Sequence, residues 1–326
     1  MKLAIIGATG LVGKEIIKVL EENSNKKIKK ILFVASKKSE GKKIKYKNKT
    51  HKIISVEKAI SEKPNYALFS AGSSAALKYS YVFSKKGTTV IDNSSCFRMK
   101  KNIKLIVPEI NGKNLTLKDK IIANPNCSTI QLVLALFPIN EKFKIKRIIV
   151  STYQAVSGSG FLGQQQLKNE EKGVFSKKSA YKRKIHRNII PHCDDFCENG
   201  YTKEEEKVIK ETNKILKSKI KITATAVRVP TLGGHGESVN IETKKETTVK
   251  EIIQVLKKQK GIVVDEKNKY KTPLETKGSN LVYVSRIRKD YSVKNGFNMW
   301  IVADPLRKGA ATNAVQILNK IISLKK

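Results

Sequence analysis

Lys2-Leu3-Ala4-Ile5-Ile6-Gly7-Ala8-Thr9-Gly10-Leu11-Val12-Gly13 decides the fold of this chain. Five residues of mainly apolar strand run into three glycines spaced G-x-x-G-x-x-G, and Glu15-Ile16-Ile17-Lys18-Val19-Leu20 follows with helical spacing. Strand, glycine turn and helix in that order open a dinucleotide-binding unit. The glycines permit a tight turn and close backbone approach, and the helix N-terminus takes the pyrophosphate. The turn Gly7, Thr9, Gly10, Leu11, Val12 and Gly13 is therefore the expected phosphate cradle. Ile31-Leu32-Phe33-Val34-Ala35 is the next strand, and its end should meet the adenosine ribose. A carboxylate there would bind the 2′-hydroxyl of NAD. Ser36-Lys37-Lys38-Ser39 stands there instead, hydroxyls and cations that suit a 2′-phosphate, so the expected cofactor is NADP.

Strands at Tyr66–Ser70, Thr89–Asp92 and Leu105–Val107 extend a largely parallel sheet through the first part of the chain. The pattern changes after Cys127. Ile145–Thr152, Ile220–Val229 and Ser238–Thr243 are longer strands and Val249–Lys258 is helical, which suggests a mixed sheet with helices on one face. The tail from Gly309 to Leu318 reads as a helix with small residues at its start that returns to the first domain. The expected organisation is α/β: a Rossmann-type NADP-binding domain over 1–126 with 309–326 returning, and an α+β catalytic and dimerisation domain over 127–308.

Cys127 lies in Ala123-Asn124-Pro125-Asn126-Cys127-Ser128-Thr129-Ile130-Gln131, ahead of the apolar run Leu132–Leu136. Asn124-Pro125 interrupts what precedes it, and Ser128 or Thr129 is expected to cap the run as a helix. A thiol at that point sits over the free N–H groups of a helix start, whose dipole favours the thiolate and could hold an oxyanion.

Composition sets outer limits. A chain of 326 residues suffices for two domains with cores of their own. No apolar stretch approaches a membrane span and no signal peptide is expected, so neither a membrane partner nor export is. Cys96, Cys127, Cys193 and Cys197 are too unevenly spaced for a disulfide framework, which fits a reducing cytoplasm. His192, Cys193 and Cys197 lack the second cluster a zinc site needs, and no metal is expected. The formal net charge of +38 would suit a polyanion ligand, with clusters at Lys42–Lys52 and Lys177–Arg187. The excess is lysine, however, with only eight arginines, and it is spread over every element. Salt-sensitive adhesion is expected, and no specific nucleic-acid function.

Five segments, in order, resemble the aspartate-semialdehyde dehydrogenase family: Gly7–Gly13; Val90-Ile91-Asp92-Asn93-Ser94-Ser95-Cys96-Phe97-Arg98-Met99; Asn124–Thr129; Arg228-Val229-Pro230 with Gly234-His235-Gly236-Glu237; and Gly309–Gln316. The resemblance implies reduction of L-aspartyl 4-phosphate with NADPH to L-aspartate 4-semialdehyde and phosphate. That step leads to diaminopimelate and lysine, threonine, methionine and isoleucine. It implies Cys127 as nucleophile through a thioester, His235 as acid–base catalyst and Gln154 as the residue that orients substrate near the thiol. Arg228 would clamp the substrate carboxylate, Arg98 and Lys214 would contact phosphate, Glu211 would face the amino group, and Asn126 would border the substrate. Ser36, Lys38, Ser70, Gly72, Asn93, Ser157, Gly158 and Asn313 complete the implied cofactor contacts. A homodimer through the second domain's sheet is also implied. Gly236 departs from the serine many relatives carry after the histidine. Two alternatives stand beside this reading. One is N-acetyl-γ-glutamyl-phosphate reductase, against which Asn126 argues where glycine would be expected. The other is a catalytically silent paralogue, which the joint presence of Cys127, Arg228 and His235 disfavours.

Overall fold

A computed structural model describes residues 1–23, 25–175 and 178–325; Lys177, which opens the second basic cluster, lies outside them. The chain divides into two compact units, Met1–Asn126 with Ala310–Lys326, and Cys127–Gly309.

The first unit opens with β1 (Lys2–Ile6), α1 (Leu11–Glu22) and β2 (Lys30–Val34), followed by a hairpin of β3 (Lys43–Tyr46) and β4 (Lys49–Lys52). It continues through α2 (Val56–Ser61), β5 (Tyr66–Phe69), α3 (Ser73–Lys85), β6 (Thr89–Asp92), β7 (Lys104–Leu105), α4 (Pro108–Asn111) and β8 (Ile121–Ala123). Six of these strands form one sheet in the order β2-β1-β5-β6-β8-β7, with every pair parallel. Strands covered on both faces are continuous apolar runs, and Tyr66–Phe69 and Thr89–Asp92 are buried at every position. β7 is shorter than the expected Leu105–Val107 because Val107 instead caps α4, whose first residue is Pro108.

The second unit opens with α5 (Cys127–Phe143) and β9 (Ile145–Ala155). It continues with α6 (Gly160–Glu171), α7 (Lys203–Leu216), β10 (Lys221–Val229), β11 (His235–Thr243), α8 (Val249–Lys257), β12 (Ile262–Val264), β13 (Val282–Asp290) and β14 (Gly296–Ala303). Its sheet runs β10-β9-β11-β14-β13-β12 and is mixed: the two outer pairs are parallel and the inner three antiparallel. The helices α5, α7 and α8 pack on it. β9 and β11 both extend past their expected ends, to Ala155 and back to His235, and those three and three extra residues carry the polar side chains Gln154 and His235.

α5 begins at Cys127 itself, so Ser128 and Thr129 lie inside the helix and do not cap it. Twelve of its side chains are buried, among them Leu132, Val133, Leu134 and Leu136. Full burial of such side chains contributes roughly 1.5–3 kcal/mol each, which holds the helix despite Pro138 in its fourth turn. The tail differs from expectation too. A π-helical turn spans Arg307–Thr312 and the regular helix, α9 (Asn313–Ser323), starts only after it. Asp304 organises the entry to that turn by accepting from the N–H groups of Leu306 and Arg307 at 2.8 and 3.1 Å. α9 belongs to the first unit, where Ala314, Ile317, Leu318 and Ile321 join the core built on Leu3, Ile5 and Tyr66. Among the described residues no helix is long and apolar enough to cross a membrane.

Candidate active site

In the first unit the glycine turn is shaped by two forced contacts. Gly7 has φ +87° and donates its N–H to the Val34 carbonyl at 2.9 Å. A Cβ on Gly7 would lie 2.7 Å from the Ser70 carbonyl oxygen, and one on Gly13 would lie 2.1 Å from that of Gly7. No side chain fits at either position. Gly10 ends the turn as the N-cap of α1 with no side-chain cap, and Thr9 and Gly10 are exposed while Leu11 and Val12 are half-buried. Uncapped first-turn N–H groups beside an exposed, side-chain-poor turn suit a phosphate. Ser70 is turned inward and donates its hydroxyl to Ile6 at 3.1 Å. Ser36 and Lys38, beyond the end of β2, are exposed. Gly72, with φ +82°, is the exposed N-cap of α3.

Behind this surface runs a buried chain of amides. Asn313 donates Nδ2 to Asn124 Oδ1 at 2.7 Å and to the Ile106 carbonyl at 2.9 Å. Asn124 donates in turn to Asn93 Oδ1 at 2.9 Å, and Asn93 to the Phe69 carbonyl at 2.7 Å. Asn313 is fully buried, so its place is to hold Asn124 and Asn93. Arg98, also buried, is aimed by the Asn124 and Asn93 carbonyls, which accept from Nε and Nη2 at 2.9 and 2.8 Å. Asn126 is buried at the end of this unit. Cys96 sits with its thiol 3.0 Å from the Ser94 hydroxyl and 3.6 Å from an Asp92 carboxyl oxygen, and burial pushes the thiol up.

In the second unit Cys127 occupies the first position of α5, partly accessible, with Gly309 against it. A Cβ on Gly309 would lie 2.7 Å from the Cys127 Cβ. Gln154, at the end of β9, points into the same region: its Nε2 lies 3.1 Å from Ser128 Oγ, 3.3 Å from Thr152 Oγ1 and 3.2 Å from Glu204 Oε1. The neighbouring residue, Ala155, holds two side chains with its backbone. Its N–H donates to His235 Nδ1 at 3.1 Å and its carbonyl accepts from Arg228 Nη1 at 2.8 Å. Because Nδ1 accepts, the neutral imidazole carries its proton on Nε2, which is buried and has no partner. The Nε of Arg228 is likewise buried without a partner. Both groups converge on Gly158, where a Cβ would lie 2.9 Å from Arg228 Nη1 and 3.0 Å from His235 Nε2. Ser157, one residue earlier, is buried with its hydroxyl toward the Gly233 carbonyl at 3.5 Å.

Burial, and secondarily the Arg228 guanidinium, lowers the His235 pKa to about 3. Burial pushes the Cys193 thiol up to about 12 against the opposing pull of Arg228. An open cavity of about 560 Å³ lies beside Arg228, lined also by Ser159, Tyr181, Lys182, Arg183 and Cys193. On α7, Glu211 is buried and Lys214, three residues on, is half-buried, with burial drawing the ammonium downward and Glu211 opposing it. α7 is fastened to the Arg228 strand by Glu205, which closes a capping box with Thr202 and accepts from the Ala226 N–H at 2.8 Å. Sequence reasoning missed Ala155, which acts through its backbone and carries no side-chain signal. It also missed Glu204, which links Gln154 to Lys207 at 3.0 Å. A Glu-rich helix start reads from sequence as dipole compensation alone.

Family models match in two parts: a semialdehyde dehydrogenase NAD-binding domain over residues 2–118 and a semialdehyde dehydrogenase dimerisation domain over residues 136–308. The chain is similar to aspartate-semialdehyde dehydrogenase of Aquifex aeolicus, 45% identical over 333 residues and 98% of each chain. It is 44% identical to that of Campylobacter jejuni, over 99% of this chain and 98% of the other. Its fold is similar to the crystal structure of aspartate semialdehyde dehydrogenase II from Vibrio cholerae complexed with ASA, with TM-score 0.94 and 39% identity, covering 99% and 98% of the two chains.

The His235 environment sets a pH expectation. Its folded pKa lies below the ordinary 6.5. The folded protein therefore binds fewer protons than the unfolded chain below that value. This histidine's contribution to stability is complete above about pH 6.5 and is lost as pH falls toward 3. Imidazole NMR signals assigned by their loss in His235→Gln should not shift between pH 8 and 5 and should report the Nε2–H tautomer. A midpoint near 6.5 would contradict the geometry.

Proposed function

This chain belongs to the aspartate-semialdehyde dehydrogenase family, and on that footing we propose how its residues divide the work of the reaction. The activity is that of a nicotinamide-dependent oxidoreductase acting on the aldehyde group, and it interconverts L-aspartyl 4-phosphate with L-aspartate 4-semialdehyde and phosphate. It belongs to the synthesis of amino acids derived from aspartate.

The first unit fits the cofactor: the side-chain-free contacts at Gly7 and Gly13 and the uncapped α1 terminus supply the pyrophosphate cradle. Thr9, Gly10, Leu11 and Val12 complete it, with Ser70, Gly72 and Asn93 beside it and Asn313 acting through Asn124. From the second unit Ser157 and Gly158 are assigned to the same cofactor, Gly158 because a Cβ there would press on the Arg228 and His235 side chains. Ser36 and Lys38 stand exposed where an NAD-selective carboxylate would be, which supports NADP. When bound, the cofactor supplies the hydride that brings the acyl group to the aldehyde level.

Cys127 attacks the acyl carbon of the acyl phosphate as the thiolate, favoured by the α5 terminus; the C–O bond to the bridging oxygen breaks, and phosphate leaves with that bonding pair, its P–O bonds intact. The resulting thioester carries the aspartyl group on Cys127. Arg228 takes the substrate α-carboxylate with Nε and its remaining donors, a planar fork that lysine cannot copy. Glu211 faces the amino group, and Arg98 and Lys214 take phosphate; Asn126 and Gln154 orient the substrate, Gln154 from the Ser128 side. His235 manages the proton at Nε2 and donates it toward the carbonyl oxygen as negative charge develops there. The observation that carries this assignment is the shared anchorage of His235 and Arg228 on Ala155, both turned toward the space above Gly158.

The matched dimerisation domain supports a homodimer, with the second unit's sheet as its surface, where Ile149 and Tyr153 are exposed. Sedimentation at moderate salt showing only a 36.5 kDa species would oppose it. Four free thiols support a reducing cytoplasmic setting.

Phosphate-dependent NADP reduction with aspartate semialdehyde tests the reading. Cys127→Ala should abolish it while NADPH binding persists. His235→Ala should lose roughly 10²–10⁴-fold in kcat. Arg228→Lys should raise KM and also lower kcat, because misplacing the carbonyl by about 1 Å can cost on the order of a hundredfold. Activity of Cys127→Ala, or a marked preference for N-acetyl-γ-glutamyl substrates, would overturn the assignment.

A further inference from the structure

Two residues beyond His235 on β11 lies a carboxyl group for which the reaction above has no use. Glu237 is fully buried, and neither of its oxygens is engaged by a well-formed hydrogen bond. Its strand neighbours are uncharged: Thr152 opposite on β9 and Ile301 opposite on β14. His235 and Glu237, two apart on one strand, project to the same face of the sheet. Gln131 of α5 reaches that region. It is buried and donates Nε2 to the His235 carbonyl at 3.1 Å. Gln131 also lies four residues after Cys127, one turn along the same side of α5.

Titratable groups near His235 include Arg228 and Glu204, which act on it, and Cys193, Cys127 and Glu205 around the same guanidinium; no charged side chain acts on Glu237 itself. None of them is a partner of Glu237, so an ionised carboxylate would be buried without a cation. Proteins avoid that state by keeping the proton. Burial holds this carboxyl well above the usual range, opposed only by the Gln131 amide. A carboxylic acid and a primary amide match through two bonds, acid O–H to amide oxygen and amide N–H to acid oxygen. The second amide N–H of Gln131 then remains for the His235 carbonyl.

We propose that Glu237, in its O–H form, is a positioning residue of this active site: paired with Gln131, it fixes the spacing between His235 and the first turn of α5, where Cys127 lies. The proposal rests on the assignment of Cys127 and His235 given above. It predicts a split between variants. Glu237→Gln preserves an amide pair, so kcat should stay within about threefold of wild type. Glu237→Leu and Gln131→Leu break the chain and should each lower kcat about tenfold or more with KM little changed, since the loss is in alignment. Alkylation of Cys127 should slow in the same two variants, and the double variant should be no worse than either single one.

A second readout does not depend on catalysis. With its folded pKa raised, Glu237 keeps a proton that the unfolded chain releases above about pH 4.5. Its contribution to wild-type stability is therefore complete below that pH and declines as pH rises toward the folded value. In Glu237→Gln the dependence of Tm on pH between 5 and 8 should differ by that one proton. An unchanged dependence overturns the proposal, as does kcat in Glu237→Gln as low as in Glu237→Leu, or full kcat in both leucine variants. If the leucine variants do not fold, the two Glu237→Gln measurements decide alone. An enzyme inactive on aspartyl phosphate with the proton shift intact would locate the failure in the catalytic assignment instead.

Discussion

The backbone of one residue holds the two polar side chains around which the second unit's site is arranged. Ala155 closes β9, and its N–H and carbonyl turn to side chains from two other strands, His235 on β11 and Arg228 on β10. The backbone is the stiffest thing a sheet has to offer, so two groups pinned to one residue keep their mutual geometry whatever longer side chains do around them. The next residue continues the fastening, with the Val156 N–H donating to the Thr231 carbonyl at 3.0 Å. Gly158 then leaves clear the volume that the two side chains face.

That geometry also decides where charge is kept. Arg228 is the cation of the arrangement, and burial, with the guanidinium's field second, keeps His235 neutral. The Ala155 N–H donated to Nδ1 acts in the same direction, because an imidazolium would need that nitrogen as a donor. His235 is therefore a source of a hydrogen bond at Nε2 at any ordinary pH, suited to an oxygen that gains negative charge and loses it again within the cycle. Cys193 is near the same guanidinium, yet burial keeps its thiol protonated and out of competition as a nucleophile. Cys127 differs by its place, at the start of α5 and partly accessible.

Local chemistry made part of this legible from residues alone. A glycine turn between strand and helix announces the first unit because its spacing reflects contacts within a few residues, and the structure shows those contacts at Gly7 and Gly13. Cys127 was visible for the same reason, although the helix start lies at the thiol and not beyond it. The roles of Arg228, Glu211 and Lys214 came from family resemblance; as residues, the last two resembled a surface pair, whereas Glu211 is buried. β13 and β14 escaped notice, since Gly296, Asn298 and the Arg286–Asp290 run blur the alternation on which a strand is recognised. Contacts made by backbone atoms or across distant segments, such as Ala155 with His235, or Asn313 with Asn124, leave no mark on neighbouring residues and need the fold to be seen.

Covalent chemistry on Cys127 is the step from which the proposed roles of the other residues follow. Intact-mass and peptide mass spectrometry of the full chain after exposure to aspartyl phosphate, with no reduced cofactor present, tests it most directly. An aspartyl adduct is expected on the peptide bearing Cys127, released by hydroxylamine and absent from Cys127→Ala. An adduct on Cys96, Cys193 or Cys197 with Cys127 unmodified, in enzyme that turns over normally once NADPH is added, would contradict it.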